Sequence, residues 1–241
     1  MLARDMLAPF ARFREVSILC YHSAGGGAHF TSVSAAELES HLQFLQSHGY
    51  IFVSLGDIVG WMDGQRSLPQ RAVALTFDDG YADFETLVVP LLKKYKAPAA
   101  LFVIGSPQST GWQLDEEPPF LSAEALGRLG HEPLVEVGYH SRSHPDLEKI
   151  ADEDLAREVA APFPAKYFAY PGGHYSSRAV EAVRAAGYSA AFSIKPTLIG
   201  PHTDRYLMPR SVIVGGARPW QLRFATTKAA EWYRTLWRLF I

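Results

Sequence analysis

The sequence predicts one α/β domain over residues 1–241, folded as a barrel of about seven parallel strands that is related to the (β/α) barrels. Three observations favour this fold class. Short apolar segments typical of strands alternate with amphipathic segments typical of helices. Most of the apolar segments lack polar positions, as expected of strands covered on both faces. A chain of 241 residues that is 48% hydrophobic can bury the core that such a domain needs. An open doubly wound sheet would show the same alternation, and it stays open as the alternative.

Seven segments are predicted to be strands because they combine β-branched, aromatic and other apolar residues. They are 16–21 (VSILCY), 72–77 (AVALTF), 99–104 (AALFVI), 134–137 (LVEV), 167–170 (YFAY), 189–194 (SAAFSI) and 211–214 (SVIV). The predicted helices between them are 34–49, 83–96, 122–130, 151–160 and 176–186. The first helix has a capping-box pattern from Ser34 to Glu37 and a terminal Gly49.

Two further segments surround this predicted core. The polar, proline-containing segment 106–120 is predicted to be a long loop that overhangs a site or covers the barrel mouth. The segment 218–241 carries five basic residues against one acidic residue and is predicted to be a basic amphipathic helix. Such a helix can lie on a membrane surface, dock on a partner or pack against its own barrel, and the sequence leaves all three open.

Composition narrows the partners and the compartment. A net charge of -2 gives no field strong enough to gather nucleic acid, so no nucleic-acid partner is expected. The single cysteine, Cys20, excludes an internal disulfide and is expected to be buried in its apolar run. We see neither the apolar region of a signal peptide nor the roughly 18 apolar residues of a membrane span. The protein is therefore expected to be cytoplasmic, with peripheral membrane contact through 218–241 as an option, unless the numbering begins after processing.

Two adjacent carboxylates, Asp78 and Asp79, follow the second predicted strand. Burying both at a strand end is costly unless a cation compensates for the charge, so a nearby cation is expected. Neighbouring side chains of a strand point in opposite directions, which excludes a facing glycosidase pair and favours one metal ligand beside one proton carrier. The alternative is an Asp-Asp-Gly turn whose first carboxylate caps the following helix.

Two histidines, His140 and His144, follow the fourth predicted strand. Their spacing places both imidazoles on one face of a helix or lets them converge in a loop, and Pro145 disfavours a continuing helix. Taken alone, they could equally be surface or hydrogen-bonded histidines. Together with a carboxylate from the other strand end they would make a two-histidine, one-carboxylate site with open positions, which is typical of a catalytic metal. Zinc is the expected ion, with cobalt, nickel and iron as alternatives.

Three motifs in order carry a family resemblance: TFDDG at 76–80, HSRSH at 140–144 and FAYPGGHY at 168–175. They are similar to the successive motifs of the polysaccharide deacetylase family, also called carbohydrate esterase family 4, over about residues 16–214. The resemblance implies a distorted barrel and metal-dependent removal of an acyl group from an amino sugar. It also implies that Asp79, His140 and His144 bind the metal and that Asp78 is the general base.

The chain departs from the family pattern in its general acid. In many members, the histidine that protonates the leaving amine lies on a strand near the end of the chain. No strand with such a histidine follows residue 202 here. His22 instead ends the first strand, which resembles the circularly permuted branch that deacetylates biofilm exopolysaccharide. We therefore expect His22 to be the general acid, with His174 and His202 as competitors.

The third motif departs as well. The arginine that many relatives place before the Pro-Tyr pair is replaced by Ala169, so Arg210 is expected to orient Asp78 with two hydrogen bonds. The resemblance implies that the N–H of Gly172, after Pro171, helps to hold the oxyanion. Tyr170 and Tyr175 are expected to wall the sugar groove. The alternative is an ordinary Tyr-Pro-Gly-Gly turn.

The leading hypothesis is a deacetylase of an N-acetylated carbohydrate that acts on the C–N bond of a linear amide. One alternative is a deformylase, deacetylase or ester hydrolase acting on a lipid-linked sugar, and a nucleotide sugar or small saccharide stays open as substrate. Another is a catalytically idle glycan-binding barrel, whose mark would be loss of the base or of a ligand. Arg142, at the centre of the HSRSH motif, has no role that the sequence indicates.

Overall fold

The structure is a computed structural model that describes residues 16–27, 29–111 and 119–227. Its strands are β1 Ser17–Tyr21, β2 Ile51–Phe52, β3 Ala72–Phe77, β4 Ala99–Val103, β5 Val135–Tyr139, β6 Tyr167–Ala169, β7 Ala190–Phe192 and β8 Ser211–Val212. Its helices are α1 Ala35–Ser47, α2 Leu55–Met62, α3 Val89–Tyr95, α4 Ala123–Leu129, α5 Asp152–Val159, α6 Ser177–Ala185 and α7 Leu222–Ala225.

The strands form one curled parallel sheet in the order β7-β6-β5-β4-β3-β1-β8, and β2 pairs with the start of β3. The sheet closes part of a barrel. Between its ends, a parallel bridge joins Phe192 of β7 to Met208, which precedes β8. Ser193 N–H donates to the Met208 carbonyl at 2.9 Å and extends this contact. The predicted fold class, a distorted (β/α) barrel, is therefore confirmed.

Each of the seven predicted strands overlaps a strand of the sheet, while the second strand and second helix were not predicted. β2 is only two residues long and half of it is exposed, so it has no apolar pattern to detect. α2 is short and contains two glycines, which weaken a helical pattern. The structure stabilises it with a capping box, in which Ser54 accepts from the N–H of Asp57 and Asp57 accepts from the N–H of Ser54.

The first turn of α2 also marks the amino end of the barrel. The N–H groups of Leu55 and Gly56 donate to the Glu136 carboxylate at 2.8 and 3.1 Å, and Glu136 is the second residue of β5. Burial raises the pKa of this carboxyl, and the two donors partly oppose that effect. The motif side chains lie at the opposite end of the barrel, where the carboxyl ends of the strands meet.

The two outlying segments are described only in part. Of the predicted helix 218–241, the structure describes a 3₁₀ turn at Pro219–Gln221 and the short α7, and residues 228–241 lie outside the described part. The segment 106–120 begins with a 3₁₀ turn at Pro107–Ser109, and 112–118 are outside the described part as well. Among the residues that are described, no helix has the length and apolar character to cross a membrane.

Candidate metal centre and active site

The two motif histidines and one motif carboxylate converge at the carboxyl ends of β3 and β5. Nε2 of His140 lies 3.5 Å from Oδ1 of Asp79, and Nε2 of His144 lies 3.7 Å from the same oxygen. One donor atom from each of the three residues can be chosen so that all lie within 4.8 Å of one another. The structure thus brings these three side chains together, as the sequence led us to expect.

Backbone in the left-handed region turns these side chains towards one another. Asp79 has a φ of 74°, Ser141 of 63° and His144 of 57°, values that residues with a Cβ seldom adopt. The conformation is held locally, since the N–H of His144 donates to the Ser141 hydroxyl at 2.9 Å. Such strain concentrates at functional sites because the surrounding fold has to maintain it.

The protonation of the histidines fits a cation site. Nδ1 of His140 lies 2.8 Å from the carbonyl oxygen of Ala169, which can only accept, so Nδ1 carries the proton and Nε2 keeps its lone pair. Burial lowers the pKa of His140 to about 3 and also lowers that of His144. Two neutral imidazoles and a carboxylate are a donor set that suits a divalent ion, and the carbonyl behind His140 is the kind of partner that orients metal-binding histidines.

Asp78 is held by a buried arginine rather than by the histidines. Nη1 of Arg210 donates to Oδ1 at 2.6 Å and Nη2 donates to Oδ2 at 2.7 Å, with both side chains almost fully buried. Burial by itself would raise the pKa of Asp78, but the charge of Arg210 and its hydrogen bonds hold that pKa well below its usual range. The structure thus brings together the pair that the sequence analysis expected.

Arg210 lies in the barrel interior. It precedes β8, and its guanidinium carbon lies 5.2 Å from the ring centroid of Phe102 on β4. Nη1 also donates to the Thr76 hydroxyl at 3.2 Å. Cys20, buried as expected, adds a contact that the sequence analysis missed, because its thiol donates to Oδ2 of Asp78 at 3.4 Å. Burial raises the pKa of this thiol, so it remains protonated and able to donate.

His22 follows β1 and faces the same carboxylate. Donor atoms of His22, Cys20 and Asp78 lie within 4.8 Å of one another. Nδ1 of His22 is buried and has no hydrogen-bond partner among the described residues. Burial lowers the pKa of His22 to about 4, although the nearby Asp78 charge opposes the shift. His22 is therefore neutral near pH 7 in the structure.

The competing histidines lie in more exposed surroundings. The His174 side chain is 58% exposed and its Nδ1 lies 3.3 Å from Oδ2 of Asp146, two residues after His144. His202 is exposed in the turn between β7 and β8. Of the three candidates for the acid, His22 is the one that the structure places in a common cluster with Asp78.

The third motif forms a 3₁₀ turn at Pro171–Gly173, in which Gly172 has a φ of 57° that favours glycine. Pro171 and Tyr170 are both buried, and Tyr170 packs in the core with 0% exposure. The expectation that Tyr170 walls a sugar groove is therefore corrected, because its ring has no surface to offer a ligand. Tyr175 is half-buried and its hydroxyl accepts from Nζ of Lys195 at 2.6 Å, so it can still contribute a wall.

Two carboxylates that the sequence analysis did not single out hold the site loops. Glu158 of α5 accepts from the N–H groups of Arg142 and Ser143 at 3.1 and 2.9 Å, and from the Ser143 hydroxyl at 2.8 Å. Asp83 similarly accepts three hydrogen bonds from the loop after His22. Asp83 is the third acidic residue of the segment ALTFDDGYAD, so its closeness in sequence to Asp78 and Asp79 could have pointed to a role near the site. Nothing in the sequence connects Glu158 to the HSRSH motif. Arg142 itself is exposed, and its backbone N–H is the group that is bound.

Comparisons with known proteins show the family of this chain and agree with its fold. The sequence profile of the polysaccharide deacetylase family matches residues 65–191, just over half of the chain. A poly-β-1,6-N-acetyl-D-glucosamine N-deacetylase of Staphylococcus aureus is 25% identical over 199 residues, which are 76% of this chain and 68% of that protein. The Escherichia coli protein of the same name is 32% identical over 135 residues, 52% of this chain but only 20% of that longer protein. The solved structure of IcaB from Ammonifex degensii matches with a TM-score of 0.74 and 26% identity, covering 89% of this chain and 98% of that one.

Proposed function

The chain belongs to the polysaccharide deacetylase family, and we propose that it is a metal-dependent hydrolase that removes the N-acetyl group from an amino sugar or an N-acetylated glycan. The observation that carries this proposal is the adjacency of two clusters at one end of the barrel. Asp79, His140 and His144 form a donor set for one divalent ion, and Asp78 lies beside them with Arg210 on its far side. Neither a ligand nor the base is missing, as it would be in an idle glycan-binding barrel.

Each residue has one task in the proposed reaction. A divalent ion held by Asp79, His140 and His144 supplies the activation of water at neutral pH and the polarisation of the substrate carbonyl. Asp78 accepts a proton from the attacking water, which its ionised state permits. The backbone N–H of Gly172 donates to the oxygen on which negative charge develops. Arg210 keeps Asp78 ionised and oriented.

We propose that His22 acts in the last step, as the general acid. Cleavage of the C–N bond leaves an amine that has to gain a proton before it departs. Because burial keeps His22 neutral near pH 7, the proton that it delivers has to come from the reaction itself. The carboxylate of Asp78, which has taken the proton of water, offers an oxygen within 4.8 Å of a His22 nitrogen. Water and amide are thereby converted into acetate and a free amino sugar.

The names of the relatives indicate which substrate to test first. The curated proteins of S. aureus and E. coli are named for a polymer of β-1,6-linked N-acetylglucosamine, so that polymer is the first substrate to test. A short N-acetylated saccharide, a formylated sugar and a lipid-linked sugar require the same metal and base. Zinc is the proposed ion, and cobalt, nickel and iron also accept two histidines and a carboxylate.

A substrate panel tests the proposal. Metal-loaded protein is incubated with polymeric, short, nucleotide-linked and lipid-linked sugars, each in N-acetylated and N-formylated form, and released acid and new amine are measured together. The proposal predicts acetate and amine in equal amounts from at least one N-acetylated sugar. No release from any sugar, with one equivalent of metal bound, would favour the glycan-binding alternative. Release of formate alone would show that the enzyme removes an N-formyl group and not an N-acetyl group.

A further inference from the structure

Asp83 uses its carboxylate in an unusual way for its position. It is the N-cap of the π-helical turn Phe84–Val88 that leads into α3, and it makes no side-chain capping hydrogen bond there. An aspartate at a helix N-cap ordinarily accepts from an N–H of its own first turn. The carboxylate of Asp83 instead accepts hydrogen bonds from a different segment of the chain.

That segment is the loop that directly follows His22. Oδ2 of Asp83 accepts from the Ser23 hydroxyl at 2.6 Å, from the Ala24 N–H at 2.8 Å and from the Gly25 N–H at 2.7 Å. Hydrogen bonds to a charged acceptor are about twice as strong as neutral ones. The approach is close, since a Cβ built on Gly25 would lie 3.1 Å from the same oxygen.

Hydrogen bonds hold the backbone on both sides of His22. Its Nδ1 has no hydrogen-bond partner in the described part of the chain. On the amino-terminal side, its backbone is fixed by the sheet, where the N–H of Asp78 donates to the Tyr21 carbonyl at 2.9 Å. On the carboxyl-terminal side, the loop is held by the three bonds to Asp83 and by Val33, whose N–H donates to the Ser23 carbonyl at 3.1 Å. The segment 78–83 therefore contacts the backbone on both sides of His22, and Asp83 is the side chain that binds the loop nearest to it.

We propose that Asp83 is a positioning residue that holds the loop 23–25 so that His22 stays within reach of Asp78 and of the departing amine. The inference rests on the proposed function, because it presumes that His22 is the acid. One short segment would then provide the base in Asp78, a ligand in Asp79 and the anchor of the acid in Asp83. Loss of the anchor would impair the step that needs a proton on the leaving group and spare the steps that do not.

The test compares two substrates that differ in their need for an acid. An N-acetylated glucosamine oligomer has a basic amine as its leaving group, whereas 4-nitrophenyl acetate releases a phenolate that needs no proton. General acid catalysis contributes about 10²–10⁴-fold, so His22→Ala should lower kcat on the amide by about 100-fold or more and barely change kcat on the ester. Asp83→Ala should lower kcat on the amide by about tenfold, a part of that contribution, with the ester rate and the metal content preserved.

A double variant and a matched control sharpen the test. In His22→Ala/Asp83→Ala the amide rate should equal that of His22→Ala, because the anchor has no acid left to position. The control is Asp57→Ala at the amino end of the barrel, where Asp57 also accepts from a serine hydroxyl and its N–H, at 2.9 and 3.0 Å. It should leave the ratio of amide to ester rates unchanged. If Asp83→Ala does not fold, Ser23→Ala removes one of the three bonds and should lower the same ratio to a smaller extent.

The outcomes separate the inference from the function on which it rests. Equal losses on both substrates in His22→Ala would remove the acid role and the inference with it. A selective loss in His22→Ala combined with equal losses, or none, in the variants of Asp83 and Ser23 would overturn the inference alone. Additive losses in the double variant would also overturn it, since Asp83 would then act through something other than His22.

Discussion

Asp78 owes its charge to one neighbour. Its carboxylate is 1% exposed, an environment that favours the neutral acid, yet the two hydrogen bonds from Arg210 stabilise the ionised form. The thiol of Cys20 adds a third donor. A base has to be ionised before it can accept a proton, so the proposed role of Asp78 would depend on a residue more than 130 positions away in the chain.

Replacement of Arg210 should therefore change the pH dependence of the reaction. In Arg210→Met the burial of Asp78 is no longer opposed by the guanidinium, so its pKa rises. Activity falls as the pH drops through that pKa, and the acid limb of kcat/KM should move to higher pH by about one unit or more. Arg205→Met, which removes a half-exposed pair with Asp63, is the matched control and should leave the limb in place. An unshifted limb in Arg210→Met would contradict the role given to Arg210.

The same replacement should reduce stability. Removal of one partner from a buried ion pair leaves an uncompensated charge and costs about 3–5 kcal/mol, so Arg210→Met should unfold at a markedly lower denaturant concentration. Arg205→Met should cost about 1 kcal/mol or less, as exposed pairs contribute little. Chemical denaturation of both variants, measured with the metal-free protein, checks the difference.

Variants of the two adjacent aspartates should differ in how much metal they bind. Asp79→Ala removes a donor of the proposed metal site and should lose bound metal on dialysis. Asp78→Asn keeps the size of the side chain and should retain metal while its turnover falls by about 10²–10⁴-fold, the usual contribution of a general base. Metal analysis after dialysis together with acetate release provides both readouts. Equal loss of metal in the two variants would refute this division of roles.

Residues in the motifs could be identified from the sequence because their chemistry and spacing are local. Asp78, Asp79, His140 and His144 each follow a strand and carry a recognisable donor. The core position of Tyr170 could not be foreseen, because its ring direction depends on how β6 packs against its neighbours. The contact of Cys20 with Asp78 likewise depends on the register of β1 with β3, where Cys20 pairs with Thr76.

Among the elements, α5 has a direct part in the site. Glu158 on this helix binds the backbone of Arg142 and Ser143, and the N–H of Arg142 also donates to the Glu158 carbonyl at 3.0 Å. Because these residues lie between His140 and His144, the helix fixes the loop in which the histidines converge. The sequence predicted the helix but not this contact, which forms only when α5 packs beside β5.

Loss of that contact should weaken metal binding. Residues that orient metal ligands typically contribute about 10–100-fold to affinity, and Glu158→Gln should raise the Kd for zinc by about that factor. Competition with a chelating indicator measures the Kd. Glu153→Gln, an exposed position on the same helix, is the control and should not change it. An unchanged Kd in Glu158→Gln would mean that the loop holds its shape without the helix.

Elements with a clear pattern were predicted, and elements whose stability comes from tertiary contacts were not. The capping box of α1 is present as the sequence indicated. α2 has a capping box of its own, but its two glycines weaken its helical pattern, and β2 is a two-residue strand that pairs with the start of β3. The helix predicted at 83–96 is one segment in two conformations, a π-helical turn followed by α3, which begins with Val89 and Pro90.

At the scale of the molecule, the barrel brings together groups that are far apart in sequence. His22, the Asp78–Asp79 pair, the two motif histidines and Arg210 come from four different strand ends, and the arginine reaches the site through the interior. The alternation of strands and helices predicted this class of fold. The same alternation could not predict how closely β7 approaches the segment before β8. That approach is made by an isolated bridge between Phe192 and Met208, which lies outside the paired strands.

The predicted tail, 218–241, gives a prediction for the whole protein. In its described part, Trp220 and Phe224 are 52% and 39% exposed and their ring centroids lie 6.0 Å apart. Arg218 precedes Trp220 by two residues, and Arg223 directly precedes Phe224. Aromatic and basic groups together favour the surface of an anionic bilayer. The chain should float with phosphatidylglycerol vesicles, and a variant that lacks 218–241 should not. Equal flotation of both would remove the tail as a membrane contact.

The central claim is that one metal ion, held by Asp79, His140 and His144, makes this barrel a deacetylase. Its most direct test is a titration of metal-free protein with zinc, in which acetate release from N-acetylated β-1,6-glucosamine oligomers is measured against bound metal. If this metal site is the catalytic one, activity rises in proportion to bound metal, reaches its maximum at one ion per chain and does not appear in Asp79→Ala. Full activity without metal, or none at one bound ion per chain, would contradict it.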